Sequence, residues 1–199
     1  MEFKEEKMAR QTWKPGTLVY PVPAVLVTCK DGERENVLTV AWTGTICSDP
    51  AMTYISVRKE RYSHDIIKKS GVFCINLTTE DLAYATDYCG VRSGRNENKF
   101  EKMNLETEMA TEVDVPIIKK SPVVIECKVE EIKELGSHDM FIAKVVAVDV
   151  DERYIDENGK FDMETCKLMA YSHGHYYKLG EKIGKFGFSV QKKCPSLVV

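Results

Sequence analysis

Several absences narrow the field before any motif is read. No apolar run approaches the roughly 20 residues a membrane-spanning helix needs. The opening MEFKEEKMARQTWKPG is charged and lacks the apolar stretch of a secretory leader. A cytoplasmic protein that does not associate with membranes is therefore expected. The seven cysteines (29, 47, 74, 89, 127, 166 and 194) include no Cys-x-x-Cys pair. In a reducing compartment they read as thiols, and neither a structural zinc site nor a thioredoxin-type motif is supported. There is no G-x-G-x-x-G and no G-x-x-x-x-G-K-[ST], which argues against a Rossmann dinucleotide site and a nucleotide-hydrolysing P-loop. A basic excess is missing too: 28 Lys and Arg stand against 31 Asp and Glu, a formal charge of -3. Nucleic acid is thus not an expected partner. No internal repeat or low-complexity segment is visible.

What remains is a chain of 199 residues, 43% hydrophobic and 30% charged. That is enough for one domain burying roughly 70% of its unfolded surface. Strand-like runs dominate: Val22–Cys29, a turn at Asp31-Gly32, then Asn36–Thr43, Met52–Val57 and Val72–Leu77. Val123–Val129 alternates apolar and polar residues as a half-buried strand does, and Met140–Val150 is more fully apolar. The short GSHD link between them reads as a hairpin. Thr78 or Thr79 caps a helix candidate in TTEDLAYATDYCG, which Gly90 ends. With six or seven strands and no βαβ alternation in the second half, the chain is expected to be mainly β. The expected form is an antiparallel barrel with helical insertions. The simplest division is an N-terminal arm over 1–14, a barrel domain over 15–170, and a C-terminal extension over 171–199 packing on the barrel.

One stretch is electrostatically odd. SVRKERYSHDIIKKSG reads from Ser63 as a short helix with a serine cap and a glycine stop. Arg58, Lys59 and Arg61 crowd its start, where the helix dipole prefers acids and each cation costs roughly 0.3–1 kcal/mol. An anionic ligand answers that cost. A helix N-terminus offers free amides to phosphate, Ser63 adds a hydroxyl, and Arg58 or Arg61 adds charge-assisted hydrogen bonds. The alternative is a solvated basic run.

The stretch NVLTVAWTGTICSDPAMTYISVRKERYSHDIIKKSGVFCINL resembles the flavoredoxin and flavin reductase-like family, the FMN-binding split-barrel proteins. The similarity continues through DYCGVRSGRNENKF, ELGSHDMFIAKVVAV and HYYKLGEKIGKFGFS, from about Pro15 to Ser189. The resemblance implies a six-stranded antiparallel split barrel that forms a homodimer, with FMN near the subunit interface. It implies that Thr39, Val40, Ala41, Trp42 and Thr43 border the isoalloxazine ring, and that Ser56, Val57 and Arg58 end the next strand. Arg61, Tyr62, Ser63 and His64 match a phosphate-gripping helix start. Cys89, Ser93, Gly94, Arg95 and Lys99 match a loop closing over the flavin or its ribityl chain. The implied activity is that of an FMN-dependent oxidoreductase, with NADH, NADPH or a redox protein as electron donor. A non-catalytic FMN electron carrier without its own NAD(P)H site is the alternative.

Three further features stay open between readings. His138, at the expected hairpin tip, is either a turn residue or a hydrogen-bond and proton donor to reduced flavin, since a histidine titrates near neutrality. Ser137 stands where many related reductases have an acid. His173 and His175, two apart, would share one face of a strand; with no third ligand evident, packing among Tyr171, Tyr176 and Tyr177 is preferred to a metal. Cys47 and Cys89 are either small hydrophobes or redox thiols beside the flavin.

Overall fold

The computed structural model describes residues 9–190. Residues 1–8 of the expected arm and 191–199 of the expected extension, with Cys194, lie outside the described residues. The first half contains β1 (Val22–Pro23), β2 (Val25–Lys30), β3 (Glu35–Val40), β4 (Thr43–Ser48), β5 (Ala51–Arg58), α1 (Tyr62–Ser70) and β6 (Val72–Asn76). There follow α2 (Ala83–Val91), α3 (Lys99–Lys102), β7 (Thr107–Met109), β8 (Pro116–Ile118), β9 (Val123–Glu134) and β10 (His138–Val150). A small hairpin, β11 (Met169–Ser172) and β12 (His175–Lys178), comes last. The chain is mainly β with helical insertions. No described helix is long and apolar enough to cross a membrane.

The main sheet has seven strands in the order β3-β2-β6-β9-β10-β5-β4, every neighbour antiparallel. Its two edges are β3 and β4, yet only Ala41 and Trp42 separate them in the chain. Three residue steps from Val40 to Thr43 span at most about 11 Å, so the sheet must curl until its edges come together. That curl makes a barrel with an open seam at Val40–Thr43. The single strand expected over Asn36–Thr43 is therefore two, broken at Ala41, and β4 is the strand added to the six expected. Ser56 N donates to Trp42 O at 2.9 Å, pinning the seam to β5.

Period-two alternation sorts the side chains. Val25, Val27 and Cys29 of β2 face the barrel interior with Leu38, Val40, Ile55, Val57, Phe73, Phe141 and Ala143, and α1 closes the interior with Ile66 and Ile67. Leu26 and Val37 face outward, where Leu82, Ala85 and Cys89 of the α2 region and Phe100 of α3 cover them. Strand β2 is covered on both faces, which is why it reads as a continuous apolar run.

The helix boundaries differ from expectation in instructive ways. Helix α1 starts at Tyr62, Arg61 is its N-cap residue, and no side chain caps it. Ser63 lies inside the first turn and accepts from Asn36 Nδ2 at 2.7 Å instead. Gly71 does stop the helix, with φ +71°. Gly90 does not stop α2, which runs on to Val91. A Cβ there would stand 3.2 Å from Thr39 Cβ, so Gly90 allows the helix to lie close on β3. The boundary expected at 170/171 falls inside β11, which pairs with β1 at Val22↔Tyr171 and joins these two segments in one small sheet.

A buried carboxyl pair crosses the far side of the barrel. Glu126 of β9 is fully buried and accepts from Thr111 N, Thr111 Oγ1, Glu112 N and Val113 N at 2.7–3.0 Å. Burial works to raise its pKa, but these donors outweigh it and the net direction is down. Asp149 beside it goes the other way: burial first, then the Glu126 hydrogen bond and charge, raise it to about 6. Its buried Oδ2 meets no donor, so Asp149 is the member of the pair that takes up a proton first as pH falls. Because the folded value is raised, the folded state holds a proton that the unfolded chain releases near 3.8. Stability is unaffected below that value, falls as pH rises toward 6, and carries the full penalty above it. Asp149→Asn is expected to stabilise the protein by about 1 kcal/mol at pH 8, a figure discounted for solvent screening. The gain should vanish near pH 4. Denaturant melts at the two pH values check this, and an equal gain at both would contradict it.

Candidate functional site

Two adjoining cavities open at the seam. The larger, about 430 Å³, takes in Thr39, Val40, Ala41, Trp42, Ser56, Val57, Arg58, Arg61 and His138 of the sequence-predicted residues. The smaller, about 230 Å³, lies at the start of α1 and takes in Arg61, Tyr62, Ser63, Ser93, Gly94 and Lys99. Arg61 and Leu38 line both. Four predicted residues line neither. Thr43 donates its hydroxyl to Tyr54 O at 2.6 Å. Arg95 lies over the Tyr62 ring, 5.2 Å from its centroid. Cys89 is buried between the barrel and its helical cover. His64 points into the barrel, its Nε2 2.8 Å from Asp139 Oδ2.

The smaller cavity has the electrostatics of an anion site. Lys99 is 2% exposed and has no ion-pair partner among the described residues. Its Nζ donates to Cys89 O at 3.1 Å and Arg92 O at 3.3 Å, the carbonyls at the end of α2. An ammonium has three protons, and two carbonyls leave one for the cavity. Burial lowers the Lys99 pKa, with Arg61 adding to that direction and Cys89 opposing it. A buried cation without a carboxylate is rare. Arg61, equally without an ion-pair partner among the described residues, faces the same space. The first backbone bond at the helix start is His64 N to Arg61 O, at 3.0 Å, so the Tyr62 and Ser63 amides precede the helical ladder.

The crowded cations of the helix start are thus answered in different ways. Lys59 meets Asp139 Oδ1 at 3.2 Å, and Arg58 lies 3.6 Å from Glu60 on the surface. Of the three, Arg61 alone has no ion-pair partner among the described residues and lines the small cavity, which it shares with a distant residue, Lys99.

Gly94 closes the small cavity at very short range. A Cβ there would fall 2.1 Å from Asn36 Oδ1 and 3.0 Å from Tyr62 Cδ1. Asn36 is itself buried and bonded to Ser63, so one amide side chain joins β3, α1 and the Gly94 loop.

In the larger cavity His138 is the first residue of β10, opposite Arg58, and not a hairpin tip. Its ring stacks on Trp42, centroids 4.7 Å apart and planes 36° apart. Burial first, then Arg58 and Arg61, lower its pKa, so the imidazole is neutral at pH 7. Ser137 Oγ lies 2.8 Å from Nδ1. The opposite wall is aromatic: Tyr171 contacts Tyr20 at 5.9 Å and Tyr176 at 5.5 Å, and Tyr176 OH donates to Asp87 at 3.3 Å. Burial, followed by Asp87, pushes Tyr176 up to about 12.

The premise that His173 and His175 share a strand face fails. His173 sits in the turn between β11 and β12 with φ +47°, while His175 is in β12. Burial pushes the Cys89 thiol up to about 11, so it is protonated at neutral pH, and Cys47 donates to Asp49 O at 3.4 Å, outside both cavities. Neither cysteine lines a cavity. Sequence reasoning overlooked Asn36, Leu38, Arg92, Tyr20 and Tyr171. Arg92 had a signal, adjoining Ser93 and Gly94 in the polar loop. The two tyrosines had none, since only the pairing of β1 with β11 brings them together.

Comparison with known proteins shows the family and the fold. The flavin reductase like domain matches residues 17–180. An uncharacterised protein of Archaeoglobus fulgidus is 30% identical over 156 residues, covering 78% of this chain and 86% of that one. Among solved structures, the flavoredoxin of Desulfovibrio vulgaris superposes with a TM-score of 0.84 at 30% identity, covering 92% of this chain and 100% of the other. The flavoredoxin of Methanosarcina acetivorans gives 0.82 at 25% identity, with the same coverage.

Proposed function

The chain belongs to the flavin reductase-like family, and from that premise we propose that it is an oxidoreductase carrying electrons through one bound FMN per chain. The observation that carries the reading is Lys99, a buried cation without an ion-pair partner among the described residues, facing a cavity it shares with Arg61 and the start of α1. A phosphate monoester supplies the charge those groups lack. Gly94, where a Cβ cannot fit, brings backbone up to the same space. The residues present therefore fit the phosphate end of the cofactor, and the adjoining seam cavity accommodates its ring.

FMN, once bound, supplies acceptance of a hydride or electron pair and its onward delivery. The chain's residues do the rest. Lys99, Arg61, Ser93 and the first-turn amides of α1 hold the phosphate. The Ala41–Trp42 backbone and the His138–Trp42 stack border the ring, and Arg58 and Arg61 put positive potential where reduction adds negative charge. His138, neutral at pH 7, offers an N–H or a lone pair at the cavity edge, suited to passing a proton.

The electron donor is proposed to be NADH or NADPH docking in the larger cavity. The competing reading, an electron carrier reduced by a protein partner, draws on the similarity to two flavoredoxins. We further propose a homodimer, in which a second copy covers Trp13, Val19, Ile183 and Phe186, which are 72–102% exposed on the chain's two arms. One experiment addresses these together. The purified chain should elute as a dimer, show a flavin spectrum, and bleach anaerobically on addition of NADH or NADPH. A chain that never retains FMN overturns the reading. One that retains FMN but ignores both nucleotides leaves the carrier.

A further inference from the structure

The turn that bears Arg61 is held by a carboxylate on the opposite side of the barrel wall. Strand alternation in β10 sends His138 to the cavity and the next residue, Asp139, to the interior beside Phe141 and Ala143. There Asp139 is 1% exposed. One of its oxygens, Oδ1, meets Lys59 Nζ at 3.2 Å, and the other, Oδ2, meets His64 Nε2 at 2.8 Å. Burial works to raise its pKa, but His64 and Lys59 outweigh it and keep it charged. Lys59 and His64 flank the segment that contains Arg61, Tyr62 and Ser63. Other restraints on that segment are the backbone bonds from Arg61 N to Arg58 O at 3.1 Å and from His64 N to Arg61 O at 3.0 Å, and the hydrogen bond from Asn36 Nδ2 to Ser63 at 2.7 Å; no side chain caps the helix.

We propose that Asp139 is a positioning residue for anion recognition, clamping Lys59 and His64 at the two ends of the turn so that Arg61 and the first amides of α1 converge on a phosphate. The inference rests on the reading that the cofactor's phosphate lies at this turn. It also reassigns His64, which holds the turn from behind and does not touch the ligand. Burying a carboxylate against a lysine and an imidazole is not by itself a stabilising choice, since apolar residues often do as well. What the arrangement secures is geometry: one planar carboxylate, hydrogen-bonded to His64 through Oδ2 and ion-paired with Lys59 through Oδ1, sets two points of the turn at once. Because His138 is the adjacent residue, the clamp also ties the phosphate end of the site to the strand bearing the ring-side histidine.

The test compares FMN with riboflavin, which has the same ring system and ribityl chain but no phosphate, by flavin fluorescence titration of the full chain. Asp139→Asn is expected to weaken FMN binding about tenfold or more while changing riboflavin binding less than twofold. Lys59→Met, at a half-exposed position that tolerates substitution, should shift the ratio the same way by about threefold, and it decides the matter if the Asp139 variant fails to fold. Loss of both ligands in equal proportion, or an unchanged ratio in the variants that fold, overturns the clamp. Arg61→Ala separates the two levels. If it narrows the ratio and the clamp variants do not, the clamp alone is wrong; if it leaves the ratio unchanged, the phosphate lies elsewhere and the parent reading falls with it.

Discussion

Replacing Lys99 with methionine is expected to lower FMN affinity by at least about 30-fold, corresponding to about 2 kcal/mol, with riboflavin affinity little changed. The size follows from burial. A lysine at the surface would lose its attraction to screening, but Lys99 is 2% exposed and held by two carbonyls. Methionine keeps most of the volume and removes the charge. It also leaves Cys89 O and Arg92 O without the ammonium, at a cost of about 1–3 kcal/mol for each acceptor left unpaired, so the melting temperature should fall as well. The ligand ratio separates the two effects, because lost stability does not distinguish a phosphate from a hydroxyl. The direction of the lysine's pKa adds a second check: with the folded value lowered by burial, FMN affinity should decline as pH rises through that value, and the variant should lose the decline. Equal losses for both flavins would show that Lys99 is a helix clamp and not an anion ligand.

Gly94→Ala is expected to be as damaging to FMN retention, for a steric reason. The new methyl would stand 2.1 Å from Asn36 Oδ1 and 2.7 Å from its Cγ, far inside contact distance. Asn36 has nowhere to go: it is buried, and its amide nitrogen is bonded to Ser63 at 2.7 Å. The loop must retreat, carrying Ser93 away from the cavity, at roughly 1–3 kcal/mol of stability and a loss of FMN affinity of more than about tenfold. Gly136→Ala, where an added Cβ meets nothing within 4 Å, is the matched control and should behave as wild type. Asn36→Ala combined with Gly94→Ala should recover part of the lost stability, since it removes the atom struck. Normal FMN retention by the single Gly94 variant would mean the loop does not form the cavity wall.

Much of this site could be read from residue order alone. The basic residues before Tyr62, the free helix start and the glycine stop at 71 all belong to local physics, and they pointed to an anion before any fold was known. So did the mainly β character, which follows from short alternating runs and frequent turns. The misreadings share one cause. Ser63 looks like a cap because caps are serines, yet its oxygen is taken by Asn36 from β3. Lys59 looks like a spare cation, yet Asp139 of β10 answers it. Asn36–Thr43 looks like one strand because every residue suits a strand, yet its last residues cross to the other edge of the sheet. In each case a partner 25 or more residues away in the chain, or the closure of the sheet, decided the outcome.

By itself, the order of residues determined which segments form strands, that a short helix follows a basic run near Ser63, and which family the chain resembles. These depend on neighbours within a turn or two, where periodicity and charge act directly. Only the tertiary structure decided which charges stay free. Whether a lysine is solvated, as residue order alone would have it, or buried and facing a cavity, as Lys99 is, depends on what the barrel's curl brings against it. Pairing and desolvation are properties of contacts, and contacts between distant segments exist only once the sheet has closed.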